Sequence, residues 1–139
     1  MIDARLRELV TLRIEQAEET LPEARILGGQ EAGRGAVNRA YYAMFYAVLA
    51  LLATKGLGSS KHSGAISLFD REFVKPGDLS KGLSRSLHLA FEHRQQADYG
   101  EVREIDGVAV RKAVEEAETF IREVEAYIQS KGFGCSGQG

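Results

Sequence analysis

The fold of this chain is decided by residues 36–55, AVNRAYYAMFYAVLALLATK. Small and apolar side chains recur here at spacings of three and four, which is the period of an α-helix. The pattern predicts a helix that begins between Ala32 and Ala36, runs to about Lys55 and ends at Gly56. Because apolar side chains occupy its other faces as well, this helix should be central in its domain or face a second subunit.

The segment before this helix predicts a long amphipathic helix over residues 3–27. Its apolar positions follow the helical period, with glutamate and arginine between them. Pro22 interrupts the run, and Thr20 with Glu23 forms a capping-box pattern around it. We therefore expect a kink or a restart of the helix near Pro22.

Two further helices are predicted in the middle of the chain. Residues 56–63 are rich in glycine and serine and predict a loop, and a short helix follows over residues 63–74. Pro76 ends that helix, because proline disfavours helical geometry in the residue before it. Asp78 is then the expected cap of a longer helix that runs to about Asp98.

A last helix is predicted from a cap at Asp106 to about Gln129, and residues 130–139 are predicted to form a disordered tail. No segment alternates between polar and apolar residues with a period of two, so the predicted fold class is all-α. Short connections favour antiparallel neighbours. The sequence thus predicts one domain, residues 1–129, built as an up-and-down bundle of four long helices and one short helix.

Composition narrows the possible functions. The net charge of −2 and the pI near 5.9 differ from the strongly basic character of a dedicated duplex-binding protein. A single cysteine, Cys135, excludes an internal disulfide, and His88 and His93 are badly spaced on a helix for chelating one metal. The apolar run 40–53 is short for a membrane span. We expect a cytoplasmic protein with no metal, no cofactor and no membrane association.

An arginine lies within the apolar stripe of the helix that ends near Asp98. The stripe consists of Leu83, Leu87, Ala90, Phe91, Arg94 and Asp98. If the stretch is one helix, Arg94 and Asp98 point the same way as the leucines. A guanidinium removed from water needs a carboxylate, carbonyl groups or an anionic ligand such as a phosphate. Two interpretations stay open: a structural ion pair with Asp98, or a site that binds an anion.

Other side chains are candidates for the same site. Tyr41, Tyr42 and Tyr46 cluster on one helix, where they either pack in the core or line a polar cleft beside Arg94. His62 follows a lysine in a loop that leads into a helix, which suits anion binding or acid–base chemistry as well as plain solvent exposure.

Four segments together resemble the HEPN superfamily: NRAYYAMFYA at 38–47, KHSG at 61–64, FVK at 73–75 and RQQADY at 94–99. The resemblance implies a helical bundle that forms a homodimer, with the motif arginines near the dimer cleft. It also implies a minimal nucleotidyltransferase as the partner in a toxin–antitoxin pair. Many proteins that this chain resembles are endoribonucleases that need no metal.

The chain departs from the active superfamily pattern at one position. The pattern places a histidine after the arginine with four to six residues between them, whereas Tyr99 stands there in this chain. Arg94 carries over as the motif arginine, Tyr99 does not inherit the histidine's role, and His62 is a possible substitute in space. The predicted catalytic residues are Arg94, Asp98, Tyr99 and His62, and the predicted RNA- or nucleotide-binding residues are Arg39, Tyr42, Tyr46 and Lys61.

Three functions remain open on this reasoning. The first is a dimeric, toxin-like protein that binds RNA or a nucleotide and cleaves RNA. The second is a non-catalytic dimeric helical module that docks on a nucleotidyltransferase or presents its substrate. The third is a structural dimer in which Arg94 and Asp98 only tie helices together.

Overall fold

The computed structural model describes residues 3–99 and 105–133 as five α-helices and one π-helical segment. Their bounds in chain order are α1 Ala4–Gly29, α2 Gly33–Thr54, α3 His62–Phe69, the π-helical segment Asp70–Val74, α4 Lys81–Asp98 and α5 Gly107–Ser130. The described ranges include no strand, so the all-α prediction is confirmed.

The first two helices form an antiparallel pair. Residues 30–32 connect them, and a connection this short reverses the chain direction. Glu23 lies 3.7 Å from Arg39, and Leu27 lies against Gly35. Residue numbers rise along one helix as they fall along the other, which is the pattern of an antiparallel hairpin. This pairing brings the start of α2 beside the end of α1.

Helix α2 is the central element of the bundle. It contacts α1, α3, α4 and α5, and side chains such as Tyr41, Val48 and Leu51 are fully buried. It is long and apolar enough to cross a membrane by length and composition, yet 72% of its most apolar window is buried inside the protein. The prediction of a central apolar helix is confirmed, because the other helices cover it nearly all round.

Helix α1 continues through Pro22, so the predicted restart at this position is wrong. Thr20 does not cap a new helix, since its hydroxyl donates a 2.7 Å hydrogen bond back to the carbonyl of Gln16. Thr20 is itself buried. Packing of the whole helix against α2 outweighs the loss of one backbone hydrogen bond at the proline.

The middle of the chain differs from the prediction in two details. The short helix changes to π-helical geometry over Asp70–Val74 before it ends. Helix α4 is capped by Ser80, whose Oγ accepts a hydrogen bond from the backbone N–H of Leu83 at 3.2 Å. The predicted cap, Asp78, is wrong, because its carboxylate instead accepts a hydrogen bond from the Tyr127 hydroxyl.

The last helix begins as expected and is followed by ordered residues. Asp106 caps α5 by accepting a 2.8 Å hydrogen bond from the N–H of Val108. The predicted tail starts inside the ordered domain, because Phe133 is only 9% exposed and packs on the core. Arg7 donates a hydrogen bond to the carbonyl of Gly132 and so ties this end to α1. The rest of the predicted tail, residues 134–139, lies outside the described residues.

Candidate functional site

Arg94 is turned inward near the end of α4, as its place in the apolar stripe predicts. Its side chain is 23% exposed, and its Nη2 donates a 3.1 Å hydrogen bond to the hydroxyl of Tyr42. The carboxylate Oδ2 of Asp98 lies 2.8 Å from Nε. That contact is an ion pair without a formed hydrogen bond, since the buried Nε–H finds no acceptor in its direction. Arg94 therefore keeps unused hydrogen-bonding capacity.

Two aromatic rings of α2 form the wall beside this guanidinium. The central carbon of Arg94 lies 5.6 Å from the ring centre of Tyr41 and 5.3 Å from that of Tyr42. The guanidinium of Arg39 lies 4.9 Å from the Tyr42 ring centre as well. Tyr46 is next along the helix, with its ring 6.3 Å from the Tyr42 ring. Tyr42 thus has two guanidinium groups beside its ring, and the negative face of an aromatic ring attracts such cations.

His62 joins the same group, although it lies far from Arg94 in the sequence. It is the first residue of α3, and its Nδ1 lies 2.6 Å from the hydroxyl of Tyr41. The imidazole stacks on Phe45, with ring centres 4.0 Å apart and planes 9° apart. Burial lowers the pKa of His62 below its usual value, and the positive charge of Arg94 lowers it further. His62 is therefore neutral at physiological pH.

Tyr41 is the fully buried partner of that histidine. Its ring touches Tyr42, Phe45 and Phe91 as well as the imidazole. Burial raises the pKa of the Tyr41 phenol well above its usual range, although the Arg94 charge acts in the opposite direction. The phenol consequently keeps its proton at physiological pH.

A shallow groove of about 350 Å³ lies beside this group, where the first turns of α2 meet the end of α4. Asn38 connects its two sides: its amide nitrogen donates to Asp98 at 3.4 Å, and its oxygen accepts two hydrogen bonds from Arg39. Arg34 donates to the carbonyl of Ala97 across the same groove. Reasoning from the sequence missed Arg34. The sequence does carry a signal for it: Arg34 lies in the first turn of α2, which contains no acidic residue to pair with it.

Two of the predicted site residues lie outside the group. Lys61 is exposed, and its backbone precedes α3, with its N–H donating to Ser59. Tyr99 follows the last residue of α4, and 78% of its surface is exposed. Neither side chain is placed with Arg94 by a hydrogen bond or ring contact in the described part of the chain. Within residues 3–99 and 105–133, no cluster of His, Cys, Asp or Glu could hold a metal.

A model of the HEPN domain matches residues 10–127 of this chain, which is most of its length. The chain belongs to the HEPN domain family. A UPF0332 protein of Thermotoga maritima is 45% identical to this HEPN chain over 114 residues, covering 82% of this chain and 86% of that protein.

Two proteins of Methanocaldococcus jannaschii are also similar, and they are named "Putative toxin MJ0142" and "Putative toxin MJ0605". They are 38% and 36% identical to this chain over 125 and 128 residues. These matches cover 90% and 92% of this chain, and 84% and 90% of the two relatives. The resemblance found from the sequence motifs is confirmed.

The arrangement in this HEPN domain suits recognition of an anion. Arg94 supplies a fixed positive charge held by Tyr42 and Asp98, and neutral His62 supplies a polar group that shares the same aromatic wall. Arg39 adds a second cation beside that wall. Hydrogen bonds from a charged donor to a phosphate oxygen are about twice as strong as neutral ones.

Proposed function

We propose that this HEPN-domain protein is toxin-like and acts on RNA by binding a backbone phosphate at Arg94. The observation that carries the proposal is the inward-turned guanidinium of Arg94, which lies beside the rings of Tyr41 and Tyr42 with only part of its hydrogen-bonding capacity used. A cation partly removed from water is stabilised by an anionic ligand that accepts its remaining hydrogen bonds. The toxin-like part is supported by the names of the two relatives from Methanocaldococcus jannaschii.

The proposed reaction is metal-independent cleavage of RNA by its own 2′-hydroxyl. The 2′-oxygen forms a bond to phosphorus, the bond from phosphorus to the 5′-oxygen breaks, and the departing 5′-oxygen takes a proton from water. The proton of the 2′-hydroxyl passes to water. Arg94 and His62 stabilise the charge that grows on the phosphate oxygens, and Asp98 holds Arg94 in place. The products are a 2′,3′-cyclic phosphate and a 5′-hydroxyl.

The test is to incubate the purified protein with end-labelled single-stranded RNA in EDTA. The wild type should give products that end in a cyclic phosphate, and Arg94→Ala should give none. Arg85→Ala is the matched control, because Arg85 is an exposed arginine on the same helix, nine residues away. Equal cleavage by the wild type and Arg94→Ala, or cleavage that EDTA abolishes, would overturn the proposed reaction.

A non-catalytic binding module is the second candidate function. It is favoured by Tyr99, which stands where the active superfamily pattern has a histidine and is largely exposed. In that case the purified protein binds RNA or a nucleotide through Arg94 but does not cleave RNA. It also forms a stable complex with a minimal nucleotidyltransferase, which co-expression and co-purification would detect.

We also propose that two copies of the chain pair as a homodimer. Apolar side chains remain on the surface of the bundle, among them Leu12 on α1 and Leu89 on α4, each 47% exposed. Contact with a second copy would remove such surface from water. Light scattering on the purified protein measures the mass directly, and a monomer at micromolar concentration would exclude a stable dimer.

A further inference from the structure

We infer that Tyr41 is a positioning residue that holds His62 with its proton on Nε2, so that His62 meets the RNA phosphate as a neutral hydrogen-bond donor beside Arg94. The inference rests on the proposed function for its ligand and on the Tyr41–His62 contact for its geometry. It gives His62 a different role from that of a general base, which needs a free lone pair on the nitrogen that meets the substrate.

The direction of the proton follows from the burial of the phenol. The only hydrogen-bond partner of the Tyr41 hydroxyl within the described residues is Nδ1 of His62, at 2.6 Å. If Nδ1 carried the imidazole proton, the hydroxyl hydrogen of this fully buried side chain would have no acceptor. A buried donor without an acceptor costs more than one hydrogen bond returns. The phenol therefore donates to Nδ1, which leaves the proton of the neutral ring on Nε2.

The orientation of the imidazole is fixed as firmly as its tautomer. Phe45 stacks face to face on one side, at 4.0 Å, and the Tyr42 ring meets it edge-on with centres 5.6 Å apart. With Nδ1 occupied by Tyr41, Nε2 is the ring nitrogen left for a ligand. The rings of Tyr41 and Tyr42 lie against the imidazole, and burial and the charge of Arg94 both lower the pKa of His62.

Nuclear magnetic resonance of the ¹⁵N-labelled protein measures the tautomer without RNA. The His62 signals, assigned by their loss in His62→Gln, should show a protonated Nε2 and an unprotonated Nδ1. Tyr41→Phe should shift both nitrogens towards the average of the two tautomers. Tyr127→Phe is the matched control, because this phenol donates to Asp78 away from the site. A proton on Nδ1 in the wild type, or unchanged signals in Tyr41→Phe, would overturn the inference.

Substitution of His62 separates donation from base catalysis. The amide nitrogen of glutamine reaches the place of Nε2 and is a donor, whereas the shorter asparagine reaches only the place of Nδ1. We expect His62→Gln to keep RNA affinity within about 3-fold of the wild type and His62→Asn to lose about 10-fold. Equal losses in both variants would show that no donor at this place is used.

The two readouts distinguish failure of the inference from failure of the proposed function. If Tyr41→Phe alters the tautomer while neither it nor the wild type binds RNA, the role of Tyr41 stands and the proposed function falls. If RNA binds through Arg94 and the wild-type histidine carries its proton on Nδ1, the proposed function stands and the inference falls. The wild-type spectrum alone decides the second case, even if Tyr41→Phe folds poorly.

Discussion

Replacing Arg94 with alanine should weaken RNA binding much more than it weakens the fold. The substitution removes a partly exposed ion pair with Asp98, worth about 0.5 kcal/mol, and a hydrogen bond to Tyr42, worth about 1 kcal/mol. It also removes a charge that folding has partly withdrawn from water, which returns part of that loss. The net loss of unfolding free energy is about 1 kcal/mol, or about 4 °C in Tm for a domain of this size.

The loss in RNA affinity is larger, because charged hydrogen bonds to phosphate are worth about 1.5 to 3 kcal/mol, or about 10- to 100-fold in Kd. Fluorescence anisotropy with labelled single-stranded RNA measures it across a series of salt concentrations. Removing one phosphate contact should also reduce the slope of log K against log salt by about 0.7. Arg94→Lys keeps the charge, so it should keep most of the slope while losing affinity.

Asp98→Asn completes this set of variants. The phosphate and the Asp98 carboxylate compete for the same guanidinium, so loss of the carboxylate charge should tighten RNA binding by a few fold. The purely structural interpretation predicts another pattern: strong coupling between Arg94 and Asp98 in a double-mutant cycle of stability, with no effect on RNA. A fall in Tm well above 4 °C for Arg94→Ala, with unchanged affinity and salt slope, would refute the phosphate-binding argument.

Three further predictions concern stability. Burial, together with the hydrogen bond and the charge of Glu18, raises the pKa of Glu125 from 4.5 to about 7. The protonated carboxyl therefore contributes its full stabilisation below pH 4.5, and this contribution is lost as the pH rises through 7. As the pH rises from 5 to 8, the unfolding free energy of Glu125→Gln should therefore increase by about 1 kcal/mol relative to that of the wild type, after allowance for solvent screening. Urea unfolding measures this difference. Ser80→Ala should lower the unfolding free energy by about 1 kcal/mol, because the helix loses its cap, whereas Asp78→Ala should lower it by less than about 0.5 kcal/mol. If thermal unfolding shows the larger loss for Asp78→Ala, Asp78 is the cap after all. Phe133→Ala should lower the unfolding free energy by about 2 kcal/mol, and an unchanged Tm would place Phe133 outside the cooperative domain.

Much of the fold was predictable from local patterns. The buried stripe of α2, the Asp106 cap of α5 and the inward direction of Arg94 all follow from spacings of three and four along one helix. Errors arose where a local signal competed with packing. Pro22 and Thr20 favour a helix break, yet the helix continues because its whole face packs on α2. Asp78 is a good cap by type, but its carboxylate is engaged by a tyrosine of α5.

The candidate site was predictable only in part. Arg94, Tyr42 and Asp98 were identified from the helical stripe and the family motifs, and the structure brings them into contact. His62 was a candidate by residue type, but no periodicity relates a residue at the start of α3 to one at the end of α4. The Asn38 amide that connects Asp98 to Arg39 was missed as a site residue for the same reason.

The sequence by itself determined which residues form helices, which helix lies at the centre, and that one arginine must point inward with an acidic residue one turn away. These properties depend on contacts between residues close in the chain, so the spacing of residue types along the sequence predicts them. The tertiary structure alone decided that the phenol of Tyr41 meets the imidazole of His62 and that the Tyr41 ring lies beside Arg94. The reason is physical: α3 and α4 both have to pack on α2 before these side chains meet, and local spacing carries no information about that packing.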